Sequence, residues 1–165
     1  MKLNPPRKLE STDELNKFDC GQNLLNHWLK KRALQNSISG GTQTSVITNQ
    51  DGRVIAYFSL IMGDVRIEDA NEHLSRNLAN YPIAIMKITR MAVDLEFQGQ
   101  GIGQGIIKHI MQKAIEISQV VGCRAIVVDP IDDKAAKFYE SMQFRFNLAA
   151  NSFMYIAIQD IAENL

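Results

Sequence analysis

Three groups of residues in this chain have the types and spacing that chemistry needs. The first is the run from Gln98 to Gln104, QGQGIGQ, in which glycines stand directly ahead of an apolar stretch of helical period. Glycines let the backbone turn with its N–H groups facing inward, and the following helix adds the positive end of its dipole, so the segment suits a phosphate. It is not a P-loop, because no Gly-Lys-Ser/Thr triplet opens the helix, and it lacks the G-x-G-x-x-G spacing of a dinucleotide fold. What it fits is Q-x-x-G-x-G, Gln98 to Gly103, a pattern that holds a pyrophosphate without metal or lysine; the plainer reading is a glycine-rich strand-to-helix turn with no ligand. The second group is Lys30-Lys31-Arg32, a run of cations just after Trp28. With Arg76 and Arg90 these cations could form the local patch that binding RNA through its phosphates requires. The plainer reading is a solvated helix face whose cations suit the helix dipole. Lys87, three residues before Arg90, points to the opposite face of an undistorted strand. The third group is acids and imidazoles. Asp94, Glu96 and Glu68 are candidates for a general base, though each also reads as a surface or turn carboxylate. His27, His73 and His109 share no metal-ligand spacing with one another or with the cysteines, so no metal is expected.

The elements that must position these residues follow from periodicity. Ser11 to Glu14 has the capping-box form and predicts a short helix. Leu24, Leu25, Trp28 and Leu29 recur at helical spacing and predict an amphipathic helix ending near Gly40-Gly41. Asp51-Gly52 predicts a hairpin turn between two strands, the second apolar on both faces and therefore central. Residues 68–80 are polar and read as helical or irregular. A further central strand after Pro82 leads into the glycine run, and Ile102, Ile106, Ile107, Ile110, Met111, Ala114 and Ile115 then trace one helical face. A short buried strand up to Asp129, a helix from Asp132 to Met142 and a last strand from Ser152 to Ile158 complete a mixed α/β chain.

At 165 residues the chain is expected to form one domain, residues 1–165. Eighteen cations balance eighteen anions, which excludes a bulk electrostatic pull toward nucleic acid or anionic lipid. Cys20 and Cys123 make no disulfide framework and read as reduced, structural thiols. With no apolar leader and no stretch of membrane-spanning length, a cytoplasmic protein without a membrane partner is expected.

The segments ITRMAVDLEFQGQGIGQGIIKHIM, GCRAIVVD and AAKFYESMQF, in this order and spacing, resemble the GNAT superfamily of acetyl-CoA-dependent N-acetyltransferases over most of the chain. The resemblance implies the GNAT fold: a single mixed, mostly antiparallel sheet with a splayed central strand pair and helices on both faces. It implies that the pantetheine arm of acetyl-CoA lies along the strand Met86 to Asp94, with Ala92 and Val93 as backbone contacts. The amides of Gly99, Gln100, Gly101, Gly103 and Gln104 would hold the pyrophosphate, with Gln98 and Phe138 also in the cofactor site. Tyr139 matches the family tyrosine that protonates the leaving thiolate. Apart from the family, Phe138-Tyr139 reads as a core aromatic pair. A strand amide near Ala92 or Val93 would stabilise the oxyanion, as backbone donors do in acyl transfer generally.

FDCGQNLLNHWLKKRALQN, SLIMGDV, LSRNL and RMAVD are similar to the GNAT toxins of bacterial toxin–antitoxin pairs. Those toxins acetylate the free amino group of aminoacyl-tRNA and so stop translation. This likeness implies aminoacyl-tRNA as acceptor, a role for Lys30, Lys31, Arg32, Arg76 and Arg90 on RNA, a small ribbon-helix-helix antitoxin that covers the site, and a homodimer. The chain departs from the pattern twice. Gln143 replaces the glycine of FYxxxGF, which is expected to alter the turn before the last strands, and the net charge is zero where the toxins tend to be basic. The lack of an obvious base favours an α-amine, whose pKa of about 7.7–8.0 lies well below the roughly 10.4 of lysine. The rival readings are an acetyltransferase for a small-molecule or protein amine, and a non-catalytic module that binds acetyl-CoA or RNA.

Overall fold

The computed structural model of the chain describes residues 2–149 and 153–164. In order, its elements are β1 (Arg7–Lys8), α1 (Asn23–Lys31), α2 (Ala33–Ile38), β2 (Gln43–Thr48), β3 (Val54–Val65), α3 (Glu72–Ser75), β4 (Ile83–Val93), α4 (Ile102–Ser118), β5 (Ala125–Val128), α5 (Asp133–Ser141), β6 (Arg145–Phe146), β7 (Met154–Ala157) and α6 (Ile158–Asn164). The strands make one mixed seven-stranded sheet, ordered β1-β2-β3-β4-β5-β7-β6. β4 and β5 run parallel, while β1–β2, β2–β3, β5–β7 and β6–β7 are antiparallel. The contacts divide the chain into two units, Met1–Ile61 with Thr89–Ile106 and Met62–Ile88 with Ile107–Leu165.

In the first unit the Asp51-Gly52 turn closes the β2–β3 hairpin as its sequence predicts. Gly52 takes φ +83°, which a side chain would resist, and its N–H donates to the Asn49 carbonyl. The register runs from Gln43 opposite Leu60 to Thr48 opposite Val54, with an irregularity after Ile47. Phe18, Leu29, Ala33, Val46, Val54, Tyr57 and Ala92 form the core, with Leu25 and Trp28 packed against it. The Tyr57 hydroxyl donates to the Leu25 carbonyl at 2.8 Å and so fixes α1 on β3. The single helix expected up to Gly40 breaks at Arg32 (φ −125°, ψ −34°) into α1 and α2. Leu24 is 87% exposed, so the core-facing stripe is Leu25, Trp28, Leu29 and Ala33 instead of the expected set. No helix forms at Ser11–Glu14. The Asp13 carboxylate there takes Arg7 at 2.6 and 2.9 Å and the Glu10 N–H at 2.8 Å, a side-chain-to-backbone bond that holds a turn in place of a helix.

In the second unit β5 is buried along its whole length, as a strand in a parallel pair should be. Its ladder with β4 runs from Ile85 opposite Ala125 to Ile88 opposite Val128 and stops there, although β4 continues to Val93. Val65, Leu74, Ile83, Ile85, Val127, Phe153 and Tyr155 make this unit's core. The expected helical face of α4 is present, with Ile106, Ile107, Ile110, Met111 and Ala114 buried. Asn71 caps α3 by accepting from the Leu74 N–H and also bonds the buried Tyr155 hydroxyl. His73 Nδ1 lies 2.9 Å from the same hydroxyl, and its Nε2 lies 3.4 Å from Asp160 on α6. β1, β6 and α6 were not expected from the sequence. The expected last strand reduces to β7, with Ile158 opening α6, and Ser152 lies outside the described residues.

Candidate active site

β4 delivers the chain into the glycine run through a fixed turn. Asp94, 2% exposed, caps the short 3₁₀ turn Leu95–Phe97 by accepting from the Glu96 N–H. Its other oxygen accepts from the Asp19 N–H at 3.0 Å and from Arg53 at 3.2 Å. Arg53 also bonds Glu96 at 2.9 Å and lies over the Phe97 ring at 5.3 Å. Gln98 then donates through Nε2 to the carbonyls of Val93 (2.8 Å) and Cys20 (3.2 Å). Its side chain therefore braces the turn, and one lone pair of the Val93 carbonyl is already taken.

Beyond this brace the backbone is open. Gly99 has φ +77° and Gly101 φ +83°, a left-handed pair that only glycine takes without strain. Nothing lies within 4 Å of a Cβ placed on Gly99. The first bond of the following helix is from the Gly105 N–H to the Gly101 carbonyl. The N–H groups of Gly99, Gln100, Gly101, Ile102, Gly103 and Gln104 find no acceptor among the described residues. These donors meet the N-terminal end of the 17-residue α4, whose dipole favours an anion there. The donor set thus fits a pyrophosphate. Ala92 turns its methyl into the core, leaving only its backbone for a ligand.

Tyr139 lies on α5, which begins at an Asp132 cap accepting from the Ala135 N–H. Its ring is 7% exposed and packs at 5.3 Å from Phe138 and 5.5 Å from Phe144. Burial pushes its pKa up to about 12, so the hydroxyl stays protonated throughout the working pH range. That hydroxyl has no hydrogen-bond partner among the described residues, so its proton is not committed to any of them. Gln143 stands in the turn after α5. This residue takes φ +74°, the left-handed conformation a glycine would supply, and the Tyr139 carbonyl accepts from Met142 and Phe144.

The expected RNA cations divide between the units. In the first, Lys31 and Arg32 are exposed with no ion-pair partner among the described residues, and Lys30 donates to the Asn16 carbonyl at 3.2 Å. Arg90 stacks 3.7 Å over the Trp28 ring, whose Nε1–H reaches Ser59 at 3.4 Å. Arg76, in the second unit, is ion-paired with Glu72 at 3.9 Å. None of the three acids considered as bases stands free. Asp94 and Glu96 hold Arg53, and the Glu68 carboxyl is kept below the usual range by its own backbone N–H and by Arg66. Burial pushes both cysteine thiols up, leaving them un-ionised. Among the described residues no three His, Cys, Asp or Glu side chains gather as a metal site, and no helix is long and apolar enough to cross a membrane.

One feature escaped the sequence reading. The second unit holds a cavity of about 430 Å³ with a floor of Val65, Ile85, Val127 and Phe153. Its walls carry Asp64, Arg66, Asp69, Lys87 and Asp129, and Lys87 bonds Asp129 at 2.7 Å. The available signal was a lysine two positions after Ile85, on the strand face that Ile83 and Ile85 open.

Comparison with known proteins agrees with this arrangement. The profile of the acetyltransferase (GNAT) domain matches residues 41–146. The tRNA-acetylating toxin of Mycobacterium tuberculosis (strain ATCC 25618 / H37Rv) is 32% identical over 142 residues, 86% of this chain and 84% of that protein. AtaT complexed with acetyl-methionyl-tRNAfMet superposes with a TM-score of 0.91 at 21% identity, covering 99% of each chain. A tyrosine-to-phenylalanine mutant of the AtaT toxin, bound to the C-terminus of the antitoxin AtaR and acetyl-CoA, superposes at 0.82 with 22% identity, over 98% of this chain and 97% of that one. The two solved structures share the fold, and the profile and the mycobacterial relative fix the kinship: this chain belongs to the GNAT acetyltransferase family.

Proposed function

We propose that this chain is a toxin that transfers the acetyl group of acetyl-CoA to the α-amino group of aminoacyl-tRNA and so blocks translation. The observation that carries the reading is the 32% identity with a tRNA-acetylating toxin over most of both chains. One family profile spanning both units supports treating them as a single acetyltransferase domain. Acetyl-CoA supplies an activated acetyl group as a thioester. The unpartnered amides of Gly99 to Gln104 would hold its pyrophosphate, and the backbone of Ala92 and Val93 its pantetheine arm. A backbone N–H of the same strand would receive the developing oxyanion. As the C–N bond forms and the C–S bond breaks, the Tyr139 hydroxyl would hand its proton to the departing thiolate, whose pKa of about 8.5 makes it a poor leaving group otherwise, and the proton released by the acylated nitrogen would restore the hydroxyl.

The acceptor follows from what the acids are doing. With Asp94, Glu96 and Glu68 all engaged, an amine that is already neutral near pH 7 is the acceptor that needs least help. An ester withdraws electrons, so the α-amine of an aminoacyl ester titrates below the value of about 7.7–8.0 of a free α-amine and far below the roughly 10.4 of lysine. The exposed Lys31 and Arg32, with Lys30, Arg90 and Arg76, would meet tRNA phosphates. Such a substrate sets the site of action in the cytoplasm, and a small ribbon-helix-helix antitoxin and a second copy of the chain complete the proposed assembly. The test is transfer from labelled acetyl-CoA to mixed aminoacyl-tRNAs by wild type and Tyr139→Phe. Label on the aminoacyl group that is greatly slowed in the variant is expected. Label on free amines with unlabelled tRNA would replace the acceptor, and no transfer to any amine would leave a binding module.

A further inference from the structure

Resting on the aminoacyl-tRNA reading, we propose that the cavity of the second unit receives the side chain of the aminoacyl group. Its Lys87–Asp129 pair selects side chains that donate hydrogen bonds over aliphatic ones. The cavity is well placed for this. Lys87 and Asp129 flank the last rung of the parallel ladder, Ile88 opposite Val128, where β4 and β5 cease to pair. On the acetyl-CoA reading the pantetheine arm would lie along Met86 to Asp94, a stretch that contains Ile88 of that rung. At about 430 Å³ the space lies within the range of small-ligand sites.

The chemistry of the walls sets the preference. Ile83 and Ile85 are each 2% exposed, and on the same strand face the next residue is a lysine held at 2.7 Å by a carboxylate. The pair is only partly buried, with side-chain exposures of 34% for Lys87 and 60% for Asp129, so it keeps water that an entering group must displace. An aliphatic side chain would strip that water and return nothing, whereas a donor group would replace it. Three carboxylates, Asp64, Asp69 and Asp129, face two cations, Arg66 and Lys87. Arg66 is shared with Asp69 and Glu68, while Asp64 has no ion-pair partner among the described residues. Acceptors therefore predominate, so amide, ammonium or guanidinium ends fit and a carboxylate end is repelled. The apolar floor takes the methylenes of such a side chain.

The test is the relative kcat/KM for one tRNA body chemically charged with glutamine, lysine, arginine, leucine, valine or glutamate. Wild type is expected to favour the glutaminyl, lysyl and arginyl esters over the other three by about tenfold or more. The double substitution Lys87→Leu/Asp129→Leu, with folding checked by circular dichroism and thermal melting, should bring that ratio down toward one. A wild type that prefers the aliphatic or acidic esters overturns the proposal, as does a folded double variant with an unchanged ratio. If the double variant does not fold, the exposed Asp64→Asn takes its place, and a lysyl-to-leucyl ratio that does not fall is equally fatal. Acetylation of free amines but of no charged tRNA defeats the aminoacyl-tRNA reading and this inference together. Labelled tRNA without discrimination among side chains defeats only the inference.

Discussion

Tyr139 carries its hydroxyl at the end of a ring that is otherwise sealed between Phe138 and Phe144. Removing the oxygen leaves that packing intact, so Tyr139→Phe should lower kcat by about 10²–10⁴, the usual worth of a general acid, with little change in KM for acetyl-CoA. Steady-state kinetics with a charged tRNA checks it. A half-buried imidazole makes a second residue-scale prediction. Burial lowers the His73 pKa, and Arg145, Arg124 and Arg76 add to this while Asp160 opposes it. A folded-state value below the ordinary one means that the unfolded chain takes up the proton first. The resulting stability is full above about pH 6.5 and is lost as pH falls below that toward the lowered value. Thermal melts should therefore show a smaller loss of stability from pH 7 to pH 5 in His73→Gln than in wild type.

At the scale of elements, the turn before the glycine run depends on Arg53, which joins the buried Asp94, Glu96 and Phe97. Arg53→Met leaves Asp94 buried without its cation. Discounted for an arginine that is a quarter exposed, the expected cost is about 2–3 kcal/mol by urea denaturation, with KM for acetyl-CoA raised more than kcat is lowered. The elements around this turn were largely legible. The hairpin, β4, α4, β5 and α5 declare themselves through Asp51-Gly52 and through apolar periods longer than a few residues. What was missed is short or held by distant partners. β1 and β6 have two residues each, too few for any period, and α6 begins inside what reads as a strand. At Ser11–Glu14 the local capping pattern was present, but Asp13 was claimed from upstream by Arg7 and by the Glu10 N–H, which hold a turn in place of a first helical turn. The Gln143 turn shows the reverse, because the fold imposes a glycine's conformation on a residue that resists it.

At the scale of the whole molecule, the charge balance puts any attraction to tRNA into local patches. Lys31→Gln/Arg32→Gln removes two exposed cations with no ion-pair partner among the described residues, so it should weaken tRNA binding and reduce the slope of log affinity against log salt by about two. Acetyl-CoA binding should not move, and filter binding across a salt series reads both. The candidate site was legible to the extent that it lies in consecutive residues. The glycine run and Tyr139 could be read directly, whereas the Lys87–Asp129 cavity joins residues 42 positions apart and is visible only after β4 and β5 pair. The open amides of Gly99 to Gln104 have one more consequence. Donors bonded only to water surrender their hydrogens to deuterium at rates near those of an unfolded chain, while the α4 amides behind them are locked in helix. The loop is thus an isotopic clock that would slow only when an anion settles on it, so occupancy could be timed amide by amide in a protein whose acetyl transfer has been abolished.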